Sequence, residues 1–425
     1  MQTRVIILLA LIILLFLISP LLGSALAILV CIAAATNSGS VNALDDDIRR
    51  RLGWNDPTLT KLTFDENKLQ DNDKLKLADA LLHNTSLKTL EIPNNKVGIT
   101  GNVDLLEALF NNTSLTSLDL GMNNLGTRGN RLYKYHDAPG FFDEVEVTRK
   151  IPSMAMHIAD ALATNNSWKS LKIDGNALID TEAEAVALAL HTNTTLEELY
   201  IGDNNIGIAS GIAFAKALEK NTTLKTLDLR KNDICAEGTI AIANTLLHNT
   251  TLTELNLYQS AIGYDYGNKR PTDAAFHALA FALENNKLTS LNLGYNLINT
   301  HQIMPIVAAL LQNTSLTELE LAHNEIDEEG AKAFESVLQT NSTLTSLSLF
   351  ANYAYELYDE LQITKKTLES IRQLLFRNRR PIRNDIERTL TKVEIPQGLT
   401  LPWEIRNKIA NMATEVDKSD FMNWA

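Results

Sequence analysis

The sequence predicts an α/β solenoid, in which each coil of a stack contributes one short strand and one helix, preceded by an apolar helix. A pattern of leucine, asparagine and isoleucine recurs at a nearly constant interval along the 425 residues. Within each copy, apolar residues first alternate as in a half-buried strand and then follow a helical period. Because each unit of a solenoid contacts only its neighbours, this length does not require several globular domains.

Residues 5–35 form an apolar segment without a charged residue. A helix of this length would extend about 46 Å, whereas the hydrocarbon core of a bilayer is about 30 Å thick. We therefore predict that residues 1–40 are a transmembrane anchor and that the protein is a single-pass membrane protein. Two alternatives stay open: a signal peptide cleaved near Ala25-Leu26-Ala27, which would yield a secreted protein, and a re-entrant hairpin bent at Ser19-Pro20. Arginines on both sides of the segment leave its orientation open.

Residues 41–58 carry a short helical pattern, which we expect to cover the N-terminal end of the array. The template L-x-x-L-x-L-x-x-N-x-[IL] then fits ten copies within residues 59–354. Seven of the nine intervals between copies are 28 residues, and the other two are 53 and 36 residues, as insertions into a fixed register would produce. The first positions of the ten copies are Leu59, Leu87, Leu115, Trp168, Leu196, Leu224, Leu252, Leu288, Leu316 and Leu344.

Each copy predicts a strand, a turn and a helix. Leu227 and Leu229 alternate as in a strand, whereas residues 211–221 follow a helical period with several small alanines. Template position nine is asparagine in nine of the ten copies, and Ser260 is the exception. We expect these amides to satisfy backbone groups where the chain leaves the strand, and to form a ladder through the stack.

This pattern closely resembles leucine-rich repeats, specifically the 28-residue type of ribonuclease inhibitor and of intracellular immune receptors. The resemblance covers about residues 59–354. It implies a right-handed horseshoe with a parallel sheet inside and helices outside, and it implies that a protein ligand binds on the concave face. The chain departs from ribonuclease inhibitor in having only two cysteines, Cys31 and Cys235.

The two insertions, at residues 127–151 and 264–271, leave the array between a strand and its helix. Both carry aromatic residues beside arginine and lysine, a mixture that is typical of recognition loops. Since loops tolerate insertions at little cost, neutral surface excursions are an equally open interpretation.

Asn-x-Ser/Thr sequences recur in most copies, three residues before the first template leucine. We interpret them as helix-to-strand turns in which asparagine adopts a left-handed conformation and threonine begins the strand. Glycosylation of an ectodomain is the alternative.

Template positions three, five, seven and eight are expected to face the concave surface. They carry more acidic than basic residues. Tyrosine and arginine are enriched among the residues that dominate binding energy, so we predict a protein-binding patch. The alternative is that the aromatic rings merely pack on each other. The candidate residues are Tyr200, Arg230, Tyr258, Tyr295 and Phe350.

Residues 355–425 are predicted to form a helical C-terminal cap and tail, with helical periodicity over residues 355–377. The basic cluster Arg377, Arg379, Arg380 and Arg383 suits a solvated surface or, alternatively, anionic lipid. The sequence Leu401-Pro402-Trp403-Glu404-Ile405 resembles the opening of an F-box, which would make the chain a substrate-recruiting adaptor of a ubiquitin ligase. An ordinary amphipathic helix behind a proline explains the same residues.

The formal net charge of −13 argues against a nucleic-acid binder, because such proteins cluster lysine and arginine on one face. The sequence shows no phosphate-binding loop, metal-ligand motif or nucleophile motif. We therefore predict a non-catalytic, membrane-tethered scaffold that binds a protein and uses no cofactor, metal or small-molecule substrate. The ubiquitin-ligase adaptor is the second candidate, and a regulator resembling the activator of the Ran GTPase is the third.

Overall fold

The computed structural model describes residues 44–98 except 65, residues 103–126, residues 154–352 except 266, 269 and 285, and residues 363–392. The predicted membrane segment at residues 5–35, the first insertion at residues 127–151 and the F-box-like sequence at residues 401–405 lie outside these ranges. Across the described ranges, every helix falls short of the length or the hydropathy that spanning a bilayer requires.

The chain divides into two compact units, Met1–Ile234 and Cys235–Ala425. In the first unit, strands and helices alternate after an initial helix, and all strand pairs are parallel. Its helices are α1 Asp46–Gly53, α2 Asp71–Leu81, α3 Val103–Asn111, α4 Met154–Thr164, α5 Asp180–Leu190 and α6 Ile208–Leu218. Its strands are β1 Lys61–Thr63, β2 Thr89–Glu91, β3 Ser117–Asp119, β4 Ser170–Lys172, β5 Glu198–Tyr200 and β6 Thr226–Asp228.

The second unit repeats this alternation and adds an antiparallel hairpin. Its helices are α7 Cys235–Leu246, α8 Ala274–Leu283, α9 Thr300–Ala309, α10 Glu328–Leu338 and α11 Lys365–Lys392. Its parallel strands are β7 Glu254–Asn256, β10 Ser290–Asn292, β11 Glu318–Glu320 and β12 Ser346–Ser348. The hairpin strands, β8 Tyr264–Asp265 and β9 Arg270–Pro271, form the second predicted insertion, which lies between a strand and its helix as expected.

The core follows the repeat template. Leu87, Leu90 and Ile92, at positions one, four and six of their copy, are fully buried, and so is Val97 at position eleven. Successive strands pair without any shift in template position, so that Leu90 lies opposite Leu62 on one side and Leu118 on the other. Each coil therefore adds one layer of apolar side chains to a continuous core.

The predicted asparagine ladder is present in both units. In the first, Asn123 accepts hydrogen bonds from the backbone N–H of Asn95 at 2.8 Å and of Val97 at 3.1 Å. Its amide nitrogen donates to the carbonyls of Ile92 and Gly121. In the second unit, Asn324 accepts from the N–H groups of Asn296 and Ile298 and donates to the carbonyls of Leu293 and Leu321. These buried amides therefore stabilise the fold and are not available to a ligand.

The left-handed turns of the array lie next to this ladder. Template position eight has a positive φ in the nine copies after the first, and in the first copy Asn67, at position nine, has a positive φ. The nine residues are Asn94, Met122, Gly175, Asp203, Lys231, Gln259, Tyr295, His323 and Ala351.

The asparagines of the Asn-x-Ser/Thr sequences occupy the helix-to-strand turns, but the expected left-handed conformation is wrong for those at position minus three. None of these asparagines has a positive φ in the described part of the chain. The side chain of Asn193 instead folds back, and its oxygen Oδ1 accepts the N–H of Leu196 at 2.8 Å. Its amide nitrogen donates to the carbonyls of Leu162 and Asn165 in the preceding coil. The atom that would carry a glycan is thus already engaged inside the fold.

Helix α1 packs against the first coil of the first unit. The side chain of Asp45 caps the helix by accepting the N–H of Ile48 at 2.7 Å. The carbonyl of Leu52 accepts a hydrogen bond from the amide of Asn84, and the side-chain oxygen of Asn55 accepts the N–H of Thr85. The segment predicted as an N-terminal cap therefore supplies hydrogen-bond acceptors to the array.

Helix α11 closes the second unit. The helical pattern predicted over residues 355–377 is wrong at residues 363 and 364, which are not helical. The helix starts at Lys365 because the hydroxyl of Thr364 accepts the N–H of Thr367 at 3.2 Å. Ile371 and Leu375 are buried, and the helix packs on α10.

Three consecutive residues of α11 cover the carbonyls of the last coil. Asn378 donates to the carbonyls of Asn341 and Leu344, Arg377 donates to Leu338, and Arg379 donates to Thr345 at 2.7 Å. Asn378 therefore binds the two carbonyls that a turn hydroxyl such as Ser114 binds within the array, whereas Arg377 binds the pair that the turn asparagine of a further repeat would bind. Arg377 is exposed and Arg379 is half-buried, and both also donate hydrogen bonds to carbonyls of the array, which the sequence did not predict.

Candidate protein-binding face

The strands present template positions three and five on the face opposite the buried position four, because side chains alternate along a strand. Equivalent residues of neighbouring coils lie side by side in the strand register. In the first unit, the position-five row is Thr63, Glu91, Asp119, Lys172, Tyr200 and Asp228. In the second unit, it is Asn256, Asn292, Glu320 and Ser348.

Charged side chains of the first unit bind one another across this face. Glu91 accepts hydrogen bonds from Lys61 at 2.7 Å and from the hydroxyl of Thr63 at 2.8 Å. Burial opposes ionisation of Glu91, but these two bonds outweigh it and lower the pKa of the carboxyl below its ordinary value. Glu91 is therefore held as a carboxylate within the protein's own network.

Arg230 is held by two aspartates of the same unit. Its guanidinium lies 3.3 Å from Asp174 and forms a second ion pair with Asp228. Gly202 makes room for it, since a Cβ there would lie 2.7 Å from the Cγ of Arg230. The arginine predicted to contact a ligand is thus already engaged in an intramolecular ion-pair network.

Burial raises the pKa of Asp174 to about 6, with Asp228 and Asp119 adding repulsion, while Arg230 and the N–H of Gly202 work in the opposite direction. Burial also raises the pKa of Asp119. Both carboxyls are therefore partly shielded from water by the protein itself.

Tyr200 is half-buried on the same face. The ammonium of Lys172 lies 5.2 Å from the centre of its ring, a distance at which a cation is attracted to an aromatic face. The ring of Tyr200, a predicted contact residue, therefore already interacts with Lys172 of the same unit.

Four aromatic side chains of the second unit form a continuous row, which we call the ring row: Tyr258, Tyr295, His323 and Phe350. The ring centres of successive members are 5.7, 5.5 and 5.6 Å apart. Tyr295 is 47% exposed and Phe350 is 45% exposed. The row therefore presents aromatic surface to solvent across four consecutive coils.

The ring row depends on two features of the strand-to-helix turns. Tyr295 and His323 stand at the left-handed position eight, whereas Tyr258 and Phe350 stand at position seven. Gly294 occupies position seven beside Tyr258, and a Cβ there would lie 3.0 Å from Cδ2 of that ring. The absence of a side chain at Gly294 lets the Tyr258 ring lean toward Tyr295.

Of the five predicted contact residues, the structure brings three together, namely Tyr258, Tyr295 and Phe350. It also adds His323, which the prediction did not select and which links Tyr295 to Phe350. The signal for His323 is its template position, since it stands at position eight one coil after Tyr295. Tyr200 and Arg230 belong to the first unit and to its charged network.

Within the described ranges, no group of three or more histidine, cysteine, aspartate or glutamate residues is arranged to hold a metal ion.

The comparisons with known families agree with this architecture. The profile of the Leucine Rich repeat family matches residues 111–129, 192–215, 220–243 and 312–334. The chain carries leucine-rich repeats. The comparison with curated proteins found no match.

Three solved structures are similar to parts of the chain. Actin-binding site 2 of leiomodin-1 is 23% identical, with a TM-score of 0.34 over 44% of this chain and 98% of that one. TLR13 in complex with ssRNA13 is 17% identical, with a TM-score of 0.39 over 70% of this chain and 36% of that one. The yeast Rad7 and Elc1 complex is 13% identical, with a TM-score of 0.34 over 77% and 88%.

Proposed function

We propose that this protein is a non-catalytic binding module that recognises a protein ligand through the strand face of its repeats. The ring row is the observation that carries the proposal. Exposed tyrosine and phenylalanine bury large areas on association at a small cost in side-chain entropy, which is why such residues dominate binding energy at many interfaces.

The repeat architecture supports the same function. Solenoids present an extended face built from equivalent positions of successive units, and such faces commonly bind other macromolecules. Neighbouring parallel strands lie about 4.8 Å apart, so the four coils of the ring row provide a strip about 15 Å long. A strip of this size suits one segment of a partner at the centre of a larger contact.

We extend the proposal to the repeat type, to a membrane tether and to one alternative function. The coils are of the ribonuclease-inhibitor-like type, which the 28-residue interval supports. The array is tethered to a membrane through residues 5–35, which the length of the apolar segment supports. Recruitment of a substrate to a ubiquitin ligase through residues 401–405 is the alternative; it rests on that short sequence alone.

Site-specific photo-crosslinking tests the proposed function. A benzophenone amino acid is introduced at Tyr295 of the full-length chain, and at Phe281 of α8 as the control. Phe281 is 59% exposed and belongs to a helix rather than to the strand face. Each protein is irradiated in an extract of the source cells, and adducts are identified by mass spectrometry.

We expect discrete protein adducts at position 295 that are absent at position 281. Adding Phe350→Ser should weaken the adducts at position 295, because Phe350 belongs to the same row. Equal labelling at both positions, or adducts that ignore Phe350→Ser, would contradict the assignment of this face as the binding site.

A further inference from the structure

The charge of the second unit's strand face indicates which protein segment it binds. We define this face as template positions three, five, seven and eight of the last four copies. It contains three glutamates, Glu254, Glu318 and Glu320, and neither lysine nor arginine. The corresponding positions of the first unit include Lys61, Lys172, Arg230 and Lys231. The face that carries the ring row therefore has acidic residues but neither lysine nor arginine at these template positions.

The glutamates flank the ring row. Glu320 stands at position five of the coil that carries His323, and its carboxylate accepts the N–H of Ala322 at 2.9 Å. This bond fixes the carboxylate beside the turn that presents the His323 ring. Glu318 stands two residues earlier on the same strand and is exposed. A ligand on the rings would therefore contact carboxylates along one side.

We propose that the second unit's strand face binds an extended, basic segment of a partner protein, with arginine or lysine side chains on the ring row; this rests on the proposed function. Cations are attracted to the faces of tyrosine and phenylalanine, and carboxylates at the side of the rings add direct ion pairing. Arginine fits best, because its planar guanidinium stacks on a ring while its N–H groups donate to a carboxylate.

The spacing of the rings suits an extended chain. Successive ring centres are 5.5 to 5.7 Å apart. Alternate side chains of an extended segment lie about 6 to 7 Å apart on one side of its backbone. A segment of about six residues therefore covers the row and places a basic side chain near each of two or three rings.

Fluorescence anisotropy with the full-length chain, purified in a mild detergent, tests this inference. The probe is a labelled peptide of about eight residues in which arginine alternates with serine. Three matched peptides replace arginine by lysine, by uncharged citrulline, or by glutamate. Citrulline retains the shape of arginine but lacks its charge, so it separates charge recognition from simple packing on the rings.

The variants divide the site into its two components. Tyr295→Asn and Phe350→Ser remove ring surface, and asparagine tolerates the left-handed conformation of position 295. The control for the rings is Leu297→Asn, which changes a 70% exposed left-handed residue of the same turn that is outside the row. Glu318→Gln with Glu320→Gln removes the charges, and Glu329→Gln in α10 is the control.

We expect the arginine peptide to bind at least about tenfold more tightly than the citrulline peptide, and the glutamate peptide to bind weakest. Each ring variant should weaken binding by about three- to tenfold, the double glutamine variant should do the same, and both controls should leave it unchanged. Equal binding of the arginine and citrulline peptides, preference for the glutamate peptide, or no binding would overturn the inference.

The crosslinking experiment keeps this result separate from the proposed function. If position 295 captures a protein but the arginine peptide neither binds nor competes with that protein, the face binds proteins of another chemistry. In that case the proposed function stands, and only the basic-segment inference is overturned. If position 295 captures nothing and the peptide does not bind, both fail.

Discussion

The two units use one backbone template to present two different chemistries. In the first unit, the strand face is a network of charged groups that bind one another, including Lys61 with Glu91 and Arg230 with Asp174. In the second, it is a row of exposed rings beside carboxylates. Net charge alone therefore does not locate a binding site, because charges of the first face already have partners within the fold.

The largest expected effect concerns what the two units share. Asn123→Ala in the first unit and Asn324→Ala in the second should each lower the free energy of unfolding by about 2 to 4 kcal/mol, because each leaves buried N–H groups and carbonyls without partners. Urea denaturation measures the loss. Exposed Asn205→Ala is the control and should cost less than about 0.5 kcal/mol. A small loss in only one unit would show that the ladder does not stabilise both equally.

The next effect distinguishes the first unit by its pH dependence. The pKa of Asp174 is raised to about 6, so ionisation of this carboxyl disfavours the folded state. As the pH rises from about 4 to about 7, the stability of the wild type relative to Asp174→Asn should fall by up to about 3 kcal/mol. Denaturant unfolding at a series of pH values measures the difference.

Glu91→Gln is the matched control for that experiment and has the opposite sign. The pKa of Glu91 is lowered in the folded state, so its contribution to stability is present at neutral pH and is lost as the pH falls. If both variants showed the same pH trend, the two carboxyls would not differ as their surroundings indicate.

An intermediate effect is expected at the end of the second unit. Asn378→Leu removes two hydrogen bonds to carbonyls of the last coil and should cost about 1 to 3 kcal/mol. Gln373→Ala, on an exposed position of the same helix, is the control. Hydrogen exchange should show faster opening around Ser346–Ser348 in Asn378→Leu. Unchanged exchange there would contradict the role of Asn378 in closing the last coil.

The smallest effect tests whether the rings serve binding or merely pack on each other. A double-mutant cycle with Tyr258→Ser and Tyr295→Asn should give a coupling energy of about 0.5 to 1.5 kcal/mol, because the ring centres are 5.7 Å apart. If coupling is present but peptide binding and crosslinking ignore both variants, the rings only stabilise the unit.

Much of the fold was predictable because burial fixes the template residues. The 28-residue interval locates the strands and helices, and asparagine at position nine predicts the ladder. The left-handed turns were misplaced because asparagine tolerates that conformation anywhere. At position eight, the geometry of the turn imposes it on residues as different as Met122 and His323.

The candidate site was predictable only in part. Template position identified the rings of Tyr258, Tyr295 and Phe350. It could not show that Arg230 is bound by Asp174, which lies two coils earlier, and by Asp228, which lies two residues earlier. Nor could it show that Arg377 and Arg379 bind carbonyls of the array, since a cluster of arginines in sequence looks the same whether it faces solvent or backbone.

The first and the second unit end in different hydrogen-bonding groups. At the start of the first unit, Leu52 and Asn55 accept hydrogen bonds from the first coil, and the amide nitrogen of Asn55 also donates to the carbonyl of His83. At the end of the second unit, Arg377, Asn378 and Arg379 donate to carbonyls of the last coil. Internal coils of both units repeat these groups, since Asn193, Asn221 and Asn341 donate to equivalent carbonyls of the coil before them. A whole coil added or removed beside them therefore leaves the end junction of that unit chemically unchanged. The number of coils, and with it the reach of the recognition strip, can therefore vary without redesign of either terminus.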